Sequence, residues 1–385
     1  MLSRNRMFFA LAAGVVVLAA IAFFVAGGSR APAPKAQPAD ANDLLQHPVY
    51  KNYRFGGADP SVIDVGIQPL WVPSSAVTEA MRRDRLFIEA LAAAGLTIRF
   101  HPFLKGADLN FFLERGDLDL GVAGDMPTLS AAAASDVFIP AIINQGFISI
   151  LTNKITDFRS LRGKRIGFAF GASAHYCLLN ALASEGIGEK DVTLVPLDIF
   201  GMPPALARGE IDAFTAWEPN STIFLNSDKT LTVLRRSRYA GYMYFRADFA
   251  RSRPEAVRLA LAALLRSMRW MGERHVNLAA TCRWALDAGK AMGGKDLALS
   301  VDQYGALVKS EWLDIVPVPA IPDGDFTPDG RLHEQYVFLQ KLGKLPPRAT
   351  WDKIRASLDK TAITAVLDRA KHYRLTEFAY DAAPR

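Results

Sequence analysis

The chain has 385 residues, half of them apolar, and carries 45 Lys and Arg against 39 Asp and Glu for a formal net charge of +6. That length and apolar content support a substantial core in one large domain or two, and exclude a disordered protein. The basic residues are scattered among acidic ones, with no basic stripe interleaved with aromatics, so nucleic acid is not an expected partner.

In chain order, MLSRNR supplies two arginines ahead of MFFALAAGVVVLAAIAFFVAGG, an uncharged run over residues 7–28. At about 1.5 Å rise per residue a helix of this length spans a hydrocarbon core. Basic residues before it predict a cytoplasmic N-terminus and an exported remainder. Small residues at Val25-Ala26-Gly27 also suit cleavage, so residues 1–28 are read as a signal anchor or a signal peptide. No cysteine follows the run, which excludes lipid modification there. Residues 29–49, Ala/Pro-rich at the start (SRAPAPKAQPADAND), read as a semi-extended linker.

The folded part begins near Tyr50. SVIDVGIQP reads as a strand, TEAMRRDRLFIEALAAAG as one helix over 78–95, LTIRFHPF as a strand, LNFFLERG as a helix and LDLGVAG as a strand leading into a Pro-containing helix start. The order then repeats: RIGFAFG, HYCLLNALASEG, DVTLVPL, PALARG and IDAFTAW read strand, helix, strand, helix, strand. RGDLDLGVAGDMPT, from Arg115, returns as RGEIDAFTAWEPN, from Arg208. In each copy Arg-Gly closes a helix, with Gly116 or Gly209 as a left-handed C-cap, and the next strand carries Asp125 or Glu218 at its tip. Two βαβαβ units imply parallel sheets that bind ligands beyond the carboxyl ends of their strands. The expected lobes are 50–150 and 151–240, with 241–385 returning to the first lobe and ending in helices.

These elements resemble the solute-binding proteins of ABC transporters in the nitrate, sulfonate, taurine and thiamine-precursor group. The resemblance rests on GLTIRF, GDLDLGVAGDMP, DFRSLRGKRIGFAFGASAHYCLLNAL, ALARGEIDAFTAWEP and SRPEAVRLALAALLRSMRWM, and runs from about Val62 to Trp270. It implies an α/β, type II-like periplasmic-binding fold: two doubly wound βαβαβ lobes with a hinge, C-terminal helices, and here an N-terminal transmembrane or signal helix. It also implies a monomer in the periplasm, tethered to the inner membrane if that helix is uncleaved, that binds a small molecule and serves an ABC permease. Enzymes share this scaffold, and some use a cysteine after the first strand. QPLWVPSS has none, and no zinc-spaced cluster, phosphate loop or serine-hydrolase elbow is present, so no cofactor or metal is expected. The alternatives are an enzyme on this scaffold, of desulfinase or precursor-synthesis type, and a membrane-anchored ligand sensor.

The site is expected at the strand tips. GASAH opens a helix after a strand, offering backbone N–H groups at Gly171, Ser173 as N-cap and donor, and His175 as a ligand contact or a packing residue. Asp125, Met126 and Thr128 play the equivalent part in the first unit. Around them stand Gln68 and Trp71 in QPLW, Phe147 in QGF, Phe200 in DIFGMPP, Trp217 and Glu218 in AWEP, and Tyr242 in AGYMYF. Aromatics with a few polar groups suit a small-molecule cleft, although any one ring alone is more often a core residue. These tip segments contain no Lys or Arg but do contain carboxylates, which favours a neutral, zwitterionic or cationic ligand over nitrate or sulfate. Cys177 and Cys282 fall in separate helices, and buried thiols are favoured over a disulfide.

Overall fold

The computed structural model describes residues 41–57, 59–312 and 318–383. The run 7–28 and the linker up to residue 40 lie outside them; no helix among the described residues is long and apolar enough to cross a membrane.

Eight strands form one mixed sheet: β1 (Val62–Ile67), β2 (Thr97–Pro102), β3 (Leu120–Gly124), β4 (Val137–Thr152), β5 (Arg165–Phe168), β6 (Thr193–Pro196), β7 (Ala213–Trp217) and β8 (Thr232–Arg246). Their order is β2-β1-β3-β8-β4-β7-β5-β6. β1 pairs in parallel with β2 and β3, and β5 in parallel with β6 and β7. The sequence repeat is thus also a repeat of topology, with β5 in the place of β1 and β7 in that of β3. Central strands such as β1, VIDVGI, are buried along their whole length, whereas the edge strand β2 is largely accessible. Gly116 and Gly209 do take positive φ, 83° and 66°, where each helix turns back into its strand.

The two units are joined by β4 and β8, the longest strands, which pair antiparallel with each other; β8 also pairs antiparallel with β3, and β4 with β7. Two βαβαβ units alone do not account for these long connecting strands. A 3₁₀ turn, Phe158–Leu161, precedes β5.

The helices are α1 (Ala41–Gln46), α2 (Ser74–Met81), α3 (Arg85–Ala93), α4 (Gly106–Glu114), α5 (Asp125–Ala134), α6 (Ser173–Ser184), α7 (Met202–Ala207), α8 (Asn220–Ser227), α9 (Ala247–Ser252), α10 (Pro254–Glu273), α11 (His275–Gly293), α12 (Val301–Ser310), α13 (Arg331–Lys341), α14 (Trp351–Ser357) and α15 (Thr361–Asp368). The helix expected over 78–95 is two helices. Asp84 breaks it: its carboxylate accepts the Phe87 N–H, which caps α3, and pairs with the buried Arg266 at 2.7 Å. α10 starts with Pro at its first position, and α11 ends on Gly294 at φ 71°. α12 opens with a capping box in which Ser300 and Gln303 bond each other's backbone N–H. That box fixes the helix whose end delivers Glu311 to β4.

Candidate functional site

The segments after β1, β3, β5 and β7 converge as the repeat predicts. They enclose a small inner cavity of about 30 Å³, lined by Gln68, Trp71, Gly124, Ile148, Ala172, Ser173, Ala174, Trp217 and Tyr239, with Lys105, Gly106 and Pro127 completing the wall. Space of this size holds roughly one or two water molecules. Beside it, and sharing Lys105 and Pro127 with it, lies a second cavity of about 520 Å³ that includes Phe111, Met126, Phe170, Gly171, His175, Leu197 and Lys344.

Hydrogen bonds order the inner wall. The Gln68 side-chain amide donates to the Val122 carbonyl at 2.8 Å, and the Trp217 indole N–H to the Leu70 carbonyl at 2.9 Å. The Trp71 indole N–H donates to the Tyr239 hydroxyl, which also receives the Asn144 amide at 3.1 Å and itself donates to Glu311 at 3.2 Å. Burial pushes the Glu311 carboxyl up to about 8.

Three helices begin at this wall: α4 after Lys105, α5 after Gly124 and α6 after Ala172, none with a side-chain cap among the described residues. Ser173 is therefore not the N-cap of α6 but its first residue. Its hydroxyl accepts the Met126 N–H of α5 at 3.4 Å. A Cβ on Gly124 would overlap that hydroxyl, so the two helix starts meet only because residue 124 is glycine.

Several contacts join the segments of the first unit to those of the second. Lys105 pairs with Asp198 at 2.8 Å and with Asp108, on its own helix, at 3.4 Å. The Leu70 carbonyl also accepts the Asn220 amide at 3.0 Å, and the Val72 N–H donates to the Glu218 carbonyl at 3.0 Å.

Of the residues expected to bind ligand, Gln68, Trp71, Ser173 and Trp217 share the inner cavity, while Met126, Gly171 and His175 line the larger one. The others are placed elsewhere. Asp125 is fully buried, accepts the Ala240 N–H at 3.1 Å and pairs with Arg331 at 2.6 Å. Tyr242 donates to Asp325 and accepts from Arg331, each at 2.6 Å. The Thr128 hydroxyl donates to the Gly124 carbonyl at 2.8 Å. The Glu218 carboxylate accepts the Thr222 N–H in the first turn of α8 at 3.2 Å. The Phe147 N–H donates to Glu311 at 3.2 Å, and the Phe200 ring packs on Gly293.

Lys105, Tyr239 and Lys344 are wall residues that the strand-tip reading does not name. Lys105 had a local signal, a lysine directly before GADLNFF, whereas Lys344 had none. Both cysteines are free and buried.

Residues 91–275 match the family described as NMT1/THI5 like. The chain is 30% identical to the taurine-binding periplasmic protein of Escherichia coli over 203 residues, which span 50% of this chain and 62% of that protein's length. It is 25% identical to a putative aliphatic sulfonates-binding protein of Bacillus subtilis over 69% of this chain and 76% of that one. Among solved structures it superposes on the alkanesulfonate-binding protein SsuA of Xanthomonas axonopodis pv. citri, bound to MOPS, with a TM-score of 0.61 at 21% identity, covering 78% of this chain and 99% of that one. The fold is that of the periplasmic binding proteins, and the family resemblance read from the sequence holds.

Proposed function

We propose that this relative of the taurine- and sulfonate-binding proteins is the extracytoplasmic solute-binding component of an ABC importer, and that it takes an anionic organic solute of the sulfonate class. The observation that carries this reading is the convergence of the α4, α5 and α6 N-termini on a cavity whose wall, among the described residues, holds no carboxylate. Backbone N–H groups and helix dipoles directed at one point favour negative charge there. The carboxylates that favour a neutral or cationic ligand in the sequence are engaged elsewhere. Asp125 is matched by Arg331 and also takes the Met126 N–H of α5 at 2.9 Å, and Glu218 accepts from α8. Lys105 shares its charge with Asp108 and Asp198, so the helix termini supply the main attraction.

The inner cavity is too small for a whole organic solute in this closed arrangement, so the two lobes separate for the solute to enter and close on its head group. The bonds from Lys105 to Asp198, from Trp217 and Asn220 to Leu70, and from Val72 to Glu218 form on closing. A solute that bridges both lobes shifts the population to the closed form, which a permease in the inner membrane can recognise. The apolar run at residues 7–28, with arginines ahead of it, supports a periplasmic location, tethered or released.

Calorimetric titration of the full chain with taurine, propane-1-sulfonate and a matched primary amine tests the reading. Saturable binding of a sulfonate, with the compound recovered unchanged, is expected, together with at least a tenfold loss for Trp217→Ala. Binding of the amine alone would overturn the anion assignment, and recovery of an altered compound would make the protein an enzyme.

A further inference from the structure

A short anionic solute at the helix starts leaves the adjoining cavity of about 520 Å³ unused, although it lies within the roughly 300–1,000 Å³ range of sites for organic ligands. Its wall is apolar on several sides, with Phe111, Met126, Phe170 and Leu197, and it meets the inner cavity at Lys105 and Pro127. His175, only 1% exposed, also lines it. The imidazole is held against the rings of Phe168 and Phe170, with centroids at 4.5 and 5.3 Å. Its Nδ1 accepts the Gly171 N–H at 3.4 Å, which leaves the ring proton on Nε2. That Nε2 is buried and has no hydrogen-bond partner among the described residues. A buried donor left unpaired is costly, and an acceptor brought by a ligand removes the penalty. Of the charged groups around the cavity, Lys105 is matched with Asp108 and Asp198 and Lys344 with Glu189 at 2.8 Å, while Glu114 is exposed.

Resting on the receptor reading above, we infer that this cavity takes the ring of a ring-bearing organosulfonate whose head lies at the helix starts, and that the His175 Nε2–H donates to an oxygen acceptor on that ring. The aromatic and Met walls bury the ring carbons, and His175 selects a heteroatom at its far side. The protein then prefers such compounds to two- or three-carbon sulfonates.

Three ligands of graded shape test this by calorimetry on the full chain: propane-1-sulfonate, 3-cyclohexylpropane-1-sulfonate and 3-(oxan-4-yl)propane-1-sulfonate, in which one ring CH₂ becomes an ether oxygen. Both ring compounds are expected to bind at least tenfold tighter than propane-1-sulfonate, and the ether about fivefold tighter than the carbocycle. His175→Phe should remove the preference for the ether. Should that variant not fold, the comparison of ether with carbocycle on the unaltered protein still decides the role of His175. Propane-1-sulfonate binding as tightly as the ring compounds would overturn the inference while leaving the receptor reading intact. Equal affinity for ether and carbocycle would overturn the donor role, and failure of all three sulfonates to bind would overturn both readings.

Discussion

Arg331 sets one guanidinium nitrogen 2.6 Å from the carboxylate of Asp125, 206 residues earlier in the chain, and a second nitrogen 2.6 Å from the Tyr242 hydroxyl. The first residue of α13 therefore ties the start of α5 to β8, while Phe338 on the same helix meets Tyr176 of α6 edge-on at 5.8 Å. Asp325 lies 3.8 Å from the same guanidinium, so one cation serves two buried carboxylates.

Arg331→Met leaves those carboxylates buried without their cation. Removing one partner of a buried pair costs about 3–5 kcal/mol, and partial exposure of Arg331 places this case near the low end, about 3 kcal/mol. Urea unfolding should show that loss at pH 7, with part of it regained in the Asp125→Asn/Arg331→Met double variant. A change below about 0.5 kcal/mol, the range of ordinary surface substitutions, would show the tie to be unimportant.

Gly124→Ala drives a methyl group into the Ser173 hydroxyl, where α5 and α6 start against each other. Sulfonate affinity should fall at least tenfold because the two segments can no longer close. Ser173→Ala in the same background should recover part of it. Unchanged affinity in the single variant would mean that this contact is not made when solute binds.

Glu311 predicts the sign of a pH effect. Burial, reinforced by Glu218, raises its carboxyl to about 8 against opposition from the Phe147 N–H, Tyr239 and Arg236, whereas the ordinary value is 4.5. Between those values the folded protein keeps a proton that the unfolded chain releases, so stability falls as pH rises from about 5 to 8. Glu311→Gln removes this contribution, and its Tm should decline less than that of the parent over that window. Parallel Tm profiles would show that Glu311 titrates normally.

Neither cysteine should react with an aromatic disulfide reagent in the native protein. Burial holds the Cys177 thiol well above its ordinary range and pushes Cys282 up to about 12, so little thiolate forms. Two thiols should label after denaturation, and a fast native reaction at either would contradict the buried placement.

Much of the fold follows from local pattern. Alternating strand and helix periods, repeated with Arg-Gly turns at Gly116 and Gly209, specify two three-stranded units, and these arise from backbone geometry within a few residues. The meeting of Gln68, Trp71, Ser173 and Trp217 follows from the rule that strand tips converge. The reading fails where a residue's neighbour is remote. Asp84 lies inside an apparently continuous helical pattern, and its break is sustained by Arg266. β4 and β8 join the halves through a pairing no local period announces.

The amino-acid order by itself determined the repeat, the strand-tip location of the candidate site and two of the three helix starts at its wall, those at Asp125 and Ser173. The tertiary structure alone shows which charges pair around that candidate site. In sequence, Asp125 is a carboxylate at a strand tip with no nearby cation. In the fold, Arg331 pairs with it, and no carboxylate lines the inner cavity among the described residues. The reason is physical: Coulomb energy depends on distance and burial, which chain separation does not encode.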